Sequence, residues 1–304
     1  LSAKKKGSRG AISSIKNVYK RIGGQMDSTQ FERIDRLYHY TTVESLALIL
    51  KNRTLRLNPL DKMDDLQEAQ SQSRQNYGQF VFVSSWTDMK EESVPMWKMY
   101  SSMEAGVRIS LPPCPFQVFD MTKNQFRDPT LQERASMYTT TSLFPVVNIY
   151  DELAQGCVST ATNIGQQLHK VEYTDDMKKL CPKLEQSDEA KVHIALDMMG
   201  IYKSSIWSFQ REYRYLIRSI PCNILQGDGI NNWNLVVNTM IKTGNVKSNR
   251  QYIDLRLAGN MLDQMVITTS PAIAPANKVI VEALVSCFCP KAHIESSALA
   301  GKVR

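Results

Sequence analysis

Short runs of β-branched and aromatic residues along the chain restrict its fold more than any other sequence feature. The most apolar of them, Gln79 to Trp86 (QFVFVSSW), is typical of a buried strand. Further runs that suit strands lie at residues 55–57, 106–111, 212–217, 252–255 and 264–268. Each run is short, and no stretch reaches the roughly 18 apolar residues of a membrane-spanning helix. The sequence therefore predicts a sheet of short strands and no membrane span.

Patterns with helical spacing lie between these strands. Thr42 can cap a helix over about residues 43–51, which places its apolar residues on one face. Residues 95–101 fit a short helix, and the pattern over about residues 130–200 is mainly helical. Short strands around one long helical insertion favour an α+β domain. Because no repeat or long linker divides residues 26–304, we expect a single domain there.

Basic residues are concentrated in the first part of the chain. Residues 1–25 contain seven lysines and arginines and no acid. The chain has 37 basic and 30 acidic residues, so the remainder holds 30 of each and carries no net charge. Within this basic arm, apolar residues recur at helical spacing from Ala11 to Ile22, and Gly23-Gly24 ends the helix. Such an arm binds phosphates or docks on an acidic partner, and a solvated tail is an equal alternative.

The six cysteines and four histidines do not form a disulfide or metal-binding pattern. The cysteines are scattered without a C-x-x-C pair, and the histidines lie far apart. Disulfide scaffolds are denser in cysteine, and zinc needs clustered ligands. We therefore expect free thiols, a reducing cytoplasm and no metal. One acidic run, Asp61, Asp64, Asp65 and Glu68, is an alternative place for Mg²⁺, but a role in capping or turning the chain is favoured.

The segment Leu37 to Thr42 (LYHYTT) places His39 between two aromatic residues just before a helix. One ring nitrogen of such a histidine can bind a ligand while the other bonds the backbone. A histidine that is simply satisfied in the core is the more common alternative. The segment is therefore a candidate site only in combination with others.

A second segment, Phe80 to Tyr100, combines the end of a strand with a short helix. Ser84 and Ser85 end the apolar strand, where their hydroxyls can meet a ligand beside the sheet. Trp97 and Tyr100 lie on one helical turn and are suited to form a wall against a flat ring. Ordinary core packing is the alternative for each of these residues.

The third segment, Trp207 to Arg214 (WSFQREYR), carries a row of polar residues. If it is extended, Gln210, Glu212 and Arg214 share one face. Either Glu212 and Arg214 form a structural ion pair on a solvated face, or the carboxylate is placed to stabilise a sugar cation. The residues alone leave both interpretations open.

Taken together, four sequence boxes resemble a bacterial protein family of unknown function. The boxes are YHYT at 38–41, DDLQE at 64–68, the segment 96–107 and WSFQREYR at 207–214. The resemblance covers about residues 37–217, with a weaker continuation at 252–255. Two positions depart from the family pattern, because Asp64 stands where Asn is expected and Gln210 where Glu is expected.

This family in turn is similar to ADP-ribosyltransferases, especially to DNA-modifying toxins that open with a comparable YH-aromatic-T box. The resemblance implies a split antiparallel β-sandwich that holds NAD as the co-substrate. It implies that the catalytic residues are Glu212, His39, Gln210 and Tyr100. It also implies an NAD site formed by Tyr38, His39, Thr41, Ser84, Ser85, Trp97 and Tyr100.

The chemistry of such a transferase explains these residue types. Breaking the bond between nicotinamide and ribose passes through an oxocarbenium-like transition state, which the Glu212 carboxylate would stabilise. Nicotinamide is a good leaving group, so His39 need only orient the ribose. Tyr100 would hold the nicotinamide ring, and Gln210 would orient the acceptor.

We therefore expect an NAD-dependent ADP-ribosyltransferase that modifies a macromolecule and acts as a toxin or antiphage effector. The basic arm favours a nucleic-acid acceptor, and an antitoxin or inhibitor protein would be the corresponding protein partner. Two alternatives stay open. One is a catalytically inactive module that binds nucleotide or protein, and the other is an NAD glycohydrolase with water as the acceptor.

Overall fold

The computed structural model describes residues 34–120, 128–131, 133, 145–160, 167–187 and 192–303. The basic arm expected over residues 1–25 therefore lies outside the described residues. In the described part, no helix is both long and apolar enough to cross a membrane.

Short strands and helices alternate along the described chain. The strands are β1 (Leu37–Thr42), β2 (Thr54–Pro59), β3 (Val81–Thr87), β4 (Gly106–Leu111), β5 (Cys157–Ser159), β6 (Leu168–Lys170), β7 (Glu172–Thr174), β8 (Glu185–Ser187), β9 (Val192–Ile194), β10 (Tyr202–Ser204), β11 (Glu212–Pro221), β12 (Ile253–Arg256), β13 (Val266–Thr269) and β14 (His293–Ser296). The α-helices are α1 (Val43–Asn52), α2 (Val94–Tyr100), α3 (Ile149–Ala154), α4 (Met177–Leu180), α5 (Gly229–Thr243) and α6 (Pro275–Phe288).

Ten of these strands form one large, mostly antiparallel sheet. Its order is β12-β2-β3-β1-β4-β13-β14, and β11 pairs with β3 while β5 and β6 pair with β11. The β13–β14 pair is parallel. The remaining strands form two small sheets, in which β10 pairs with β7 and β8 pairs with β9. With its helices, the chain therefore has a mixed α+β fold, as the sequence predicts.

Strand β3 is the place where the large sheet divides. One edge of β3 pairs with β11 along its whole length. The opposite edge pairs with β2 at Phe82 and Val83 and with β1 at Thr87. Residues 84–86 therefore lack a strand partner on that edge among the described residues. The sheet opens there between β1 and β2.

The two faces of the β3–β11 ribbon have different surroundings. Phe82 and Trp86 belong to the larger apolar core, whereas Val83 belongs to a second cluster with Leu216. Side chains alternate between faces along a strand, and Ser85 lies directly opposite Arg214. Ser85 and Arg214 therefore lie on the face of the second cluster, next to the opening in the sheet.

Several local predictions agree with the structure. The Thr42 hydroxyl accepts a hydrogen bond from the backbone N–H of Ser45, and α1 begins at Val43 as expected. Strand β4 has the predicted bounds, and α2 lies within one residue of its predicted position. Strand β3 begins later than predicted, because residues 78–80 form a 3-10 turn.

The predicted helical insertion over residues 130–200 is wrong for the described part of that range. Its helices α3 and α4 have six and four residues, and the three-residue strands β5 to β9 occupy much of the rest. A three-residue strand is too short to show an alternating pattern. The lysines, glutamates and leucines of residues 130–200 also have high helix propensity, so the local composition favoured helix where the structure has short strands.

Candidate active site

A cavity of about 460 Å³ lies at the opening between β1 and β2. This volume is in the range of small-molecule sites. Of the nine residues predicted for the site, eight line it: Tyr38, His39, Thr41, Ser84, Ser85, Tyr100, Gln210 and Glu212. Three segments that are far apart in sequence thus meet at one place.

Trp97 is the predicted site residue that does not line the cavity. Its side chain is fully buried, and its indole N–H donates to the Glu92 carboxylate at 2.9 Å. Its ring packs edge-on against Tyr40, with 4.9 Å between the centroids. The predicted aromatic wall of Trp97 and Tyr100 is therefore wrong, because α2 directs Trp97 into a small apolar cluster with Tyr40 and Met96.

The surroundings of His39 fix its hydrogen-bonding state. Its Nδ1 donates to the backbone carbonyl of Ser85 at 2.7 Å, because a carbonyl can only accept. Burial lowers the pKa of His39, and the bond to Ser85 offsets this in part. The ring is therefore neutral at neutral pH, and Nε2 is a hydrogen-bond acceptor.

The serines and the β1 residues form the rest of this wall. The Ser84 hydroxyl accepts from the Trp86 indole at 3.1 Å, and the Trp86 ring lies 5.0 Å from that of His39. The guanidinium of Arg108 lies 4.7 Å from the centre of the Tyr38 ring. Thr41 is buried beside them. This side of the cavity is thus a rigid aromatic and hydroxyl surface.

Four buried charges occupy the opposite side of the cavity. Glu212 Oε1 accepts from Arg214 Nε at 2.6 Å, and Glu212 Oε2 accepts from Arg214 Nη2 and Lys203 Nζ, each at 3.2 Å. Arg214 Nη2 also donates to Glu68 Oε2 at 2.5 Å. The side chains of all four are at most 5% exposed. Two carboxylates and two cations therefore compensate one another in what we call the charge quartet.

The quartet sets the pKa values of its two acids in opposite directions. Burial alone would raise the pKa of Glu212, but Arg214 and Lys203 outweigh it and hold the pKa at about 2. Burial raises the pKa of Glu68, and the cations compensate for only part of this effect. The structural ion pair that the sequence left open as an alternative is therefore present, although in a buried site and not on a solvated face.

Gln210 and Tyr100 continue the quartet as a directed chain of hydrogen bonds. Lys203 Nζ donates to Gln210 Oε1 at 3.0 Å. This orients the amide, because an ammonium group can only donate. Gln210 Nε2 then donates to the Tyr100 hydroxyl, so the hydroxyl proton of Tyr100 is left to donate. Burial, with the nearby negative charges of Asp64 and Glu212, raises the pKa of Tyr100, so this proton is retained.

The third predicted segment is not extended throughout. Residues 205–210 form a 3-10 helix, and β11 begins only at Glu212. Arg211 between them is left-handed, with φ of 46°. Gln210 nevertheless lies on the same side as Glu212, since both bond Lys203.

Two residues of the site, Lys203 and Glu68, were not assigned to it from the sequence. Lys203 is a single lysine in a short strand, and no pattern marks it. Glu68 is part of the acidic run considered for Mg²⁺ or a turn. Asp65 in that run accepts from the backbone N–H of Gln67, as a turn residue does. The described residues contain no group of His, Cys, Asp and Glu side chains that could hold a metal ion.

Comparison with known proteins gives no match. No protein-family model, curated protein or solved structure is significantly similar to this chain.

Proposed function

We propose that this protein binds NAD in the cavity and transfers its ADP-ribose to a macromolecule. The observation that carries the proposal is the meeting of His39, Tyr100 and Glu212 on one cavity in a divided antiparallel sheet. The sequence resemblance to ADP-ribosyltransferases implies such a site, and the opening between β1 and β2 supports a split sheet of that type.

Each wall of the cavity has a role in this proposal. Neutral His39 accepts a hydrogen bond from a ribose hydroxyl through Nε2. Tyr100 contacts the nicotinamide and donates its hydroxyl proton to a ligand oxygen. Within the quartet, the Glu212 carboxylate supplies the negative charge near the ribose, which stabilises the oxocarbenium-like transition state.

The role expected for Gln210 changes in the light of its contacts. Its carbonyl oxygen is bound to Lys203 and its amide nitrogen donates to Tyr100. We therefore propose that Gln210 orients the Tyr100 hydroxyl toward the ligand, and that it does not contact the acceptor itself.

The test is incubation with NAD labelled in the adenylate, together with separate pools of DNA, RNA and protein. We expect release of nicotinamide and labelling of one pool, with nucleic acid favoured if the basic arm recruits the acceptor. His39→Gln should lower nicotinamide release, with the melting temperature as a check on folding. Free ADP-ribose without a labelled pool would identify a glycohydrolase, and absence of both NAD binding and cleavage would refute the proposal.

A module that binds nucleotide without turnover is the second candidate. The favouring observation is that Glu212 already accepts hydrogen bonds from Arg214 and Lys203. A carboxylate engaged in this way offers little to a ribose hydroxyl. NAD binding by calorimetry without nicotinamide release would support this candidate.

A further inference from the structure

Asp64 is an exposed carboxylate that lines the cavity. Glu68 and Glu212 line the same cavity, but both are buried and paired with Arg214. None of the described residues donates a hydrogen bond to the Asp64 carboxylate or forms an ion pair with it. Asp64 therefore keeps its acceptor positions for a ligand, and both solvent and ligand can reach it.

The backbone around Asp64 is held in place on both sides. Leu60, four residues earlier, is fully buried, and its carbonyl oxygen accepts a hydrogen bond from the Met63 N–H at 3.2 Å. On the other side, Asp65 is buried and its carboxylate accepts from the Gln67 N–H at 2.9 Å. The Asp64 side chain therefore meets the cavity from a fixed position in the chain, although it is itself exposed.

A hydrogen-bond donor lies beside this free acceptor. The bonds from Lys203 to Gln210 and from Gln210 to Tyr100 leave the Tyr100 hydroxyl with its proton to donate. After burial, the negative charge of Asp64 is the largest cause of the raised pKa of Tyr100, ahead of that of Glu212. Because the interaction between charges falls with distance, the Asp64 carboxylate and the Tyr100 hydroxyl lie close together in the cavity.

A donor and an acceptor side by side match a primary amide. Such a group presents a carbonyl oxygen that accepts a hydrogen bond and an NH2 group that donates one. NAD carries a primary amide on its nicotinamide ring. Its adenine also presents a ring nitrogen that accepts beside an amino group that donates, but the proposed function places the nicotinamide against Tyr100.

We propose that Asp64 determines specificity for nicotinamide, by accepting a hydrogen bond from its amide NH2 group while Tyr100 donates to its carbonyl oxygen; this rests on the proposed function. A dinucleotide with nicotinic acid in place of nicotinamide keeps an oxygen for Tyr100. It loses the NH2 group, however, and places a second carboxylate against Asp64. The site therefore favours NAD over this analogue through a lost hydrogen bond and through repulsion between like charges.

The experiment compares NAD with nicotinic acid adenine dinucleotide through kcat/KM for release of the pyridine base, in the wild type and in Asp64→Asn. The variant keeps the size of the side chain, removes its charge and supplies an N–H donor for the nicotinic acid carboxylate. The preference for NAD should fall by about 10- to 100-fold, which is the range for one hydrogen bond to a charged group. Comparing this preference between the two proteins cancels the different reactivity of the two leaving groups.

Two variants and a third dinucleotide serve as controls, with melting temperatures as the check on folding. Asp254→Asn also removes a carboxylate from the cavity lining, but one that Arg56 already pairs at 2.9 Å, so the preference should not change. Tyr100→Phe should weaken both dinucleotides by a similar factor, because both present the oxygen that Tyr100 contacts. Nicotinamide hypoxanthine dinucleotide differs from NAD in lacking the adenine amino group, so Asp64→Asn should not change the preference between these two.

The outcomes distinguish this proposal from the proposed function. An unchanged preference in Asp64→Asn would overturn the role of Asp64 alone. So would an equal change in Asp254→Asn, or a change confined to the hypoxanthine dinucleotide. If the wild type binds NAD without cleaving it, the transfer reaction is refuted, and the same preferences taken from dissociation constants by calorimetry still decide the role of Asp64. A wild type that neither binds nor cleaves NAD would overturn both.

Discussion

At the scale of single residues, the charge quartet connects stability with the proposed chemistry. Its two carboxylates share the guanidinium of Arg214, so removal of one acid leaves a buried cation without compensation. A buried charge pair adds little net stability compared with apolar packing, but removing one partner is strongly destabilising. The quartet is therefore better explained as an arrangement that holds charges in place than as a source of stability.

This reasoning predicts the effect of Glu212→Gln on folding. The variant leaves Lys203 and Arg214 with one carboxylate between them, so the free energy of unfolding at pH 7 should fall by about 3–5 kcal/mol. The measurement is urea denaturation. The pKa of Glu212 is about 2, against its usual 4.5. The contribution of its charge should thus be complete above pH 4.5 and disappear as the pH falls toward 2.

The control is Asp263→Asn, which removes a carboxylate from an exposed pair with Lys291. Exposed pairs contribute at most about 1 kcal/mol, so this variant should be nearly as stable as the wild type. Equal losses in the two variants would mean that the buried quartet has no special energetic role.

The sequence revealed the residues of the site more readily than their roles. His39, Ser85 and Glu212 lie in segments with recognisable patterns, and they were predicted. Lys203 has no such pattern, because its position depends on the pairing of β10 with β7 and on the turn after it. The burial of Glu68 Oε1 without a hydrogen-bond partner among the described residues results from three-dimensional packing, so no sequence spacing could predict it.

At the scale of secondary-structure elements, a left-handed glycine in the turn before β10 holds Arg214 of the charge quartet in place. Gly200 has φ of 81°, and its carbonyl oxygen accepts from Arg214 Nη1 at 3.2 Å. A Cβ atom at this position would lie 2.7 Å from Leu216 Cδ1. The turn before β10 therefore needs glycine both for its left-handed backbone and for its close approach to β11.

We expect Gly200→Ala to be more harmful than the same change at Gly227. Gly227 is also left-handed, with φ of 57°, but a Cβ atom there would contact nothing within 4 Å. Gly227→Ala should cost about 1 kcal/mol through its backbone alone. Gly200→Ala should cost about 1–3 kcal/mol more than Gly227→Ala, because its methyl group crowds Leu216. Nicotinamide release should also fall, because the displaced Gly200 carbonyl shifts Arg214. Chemical denaturation of both variants tests this, and equal costs would contradict it.

Element length explains which parts of the fold could be predicted. Strands β1, β3, β4 and β11 have six to ten residues, which is enough for a run of β-forming residues to be visible. The strands between residues 157 and 194 have three residues each. Their extended conformation depends on pairing with other strands and not on their own residue pattern. The longer strands carry most of the predicted residues that line the cavity, so these residues could be named from the sequence although the structure around β5 to β9 could not.

At the scale of the whole molecule, charge is divided between two parts of the chain. Residues 1–25 carry seven basic and no acidic residues, and the other residues carry 30 of each. The cavity itself is nearly balanced, because the quartet contains two charges of each sign. The long-range attraction for a polyanion must therefore come mainly from residues 1–25.

This division predicts a specific effect of deleting residues 1–25. Each phosphate that a protein neutralises on duplex DNA contributes about 0.9 to the slope of log affinity against log salt. Seven basic residues limit the contribution of the arm to a slope of about 6. Deletion should remove most of the salt dependence of binding to a DNA duplex, measured by fluorescence anisotropy across a salt series. Nicotinamide release from NAD without DNA should stay close to that of the full chain, because the residues proposed to bind and cleave NAD all lie outside the arm and line the described cavity.

A full-length variant with all seven basic residues replaced by Gln separates charge from the amphipathic face of the arm. If phosphate contacts dominate, this variant should behave like the deletion. If the apolar face of residues 11–22 docks on a protein partner, the Gln variant should keep that docking while losing DNA affinity. A salt slope that neither variant changes would show that the arm is a solvated tail, and the preference for a nucleic-acid acceptor would then lose its physical basis.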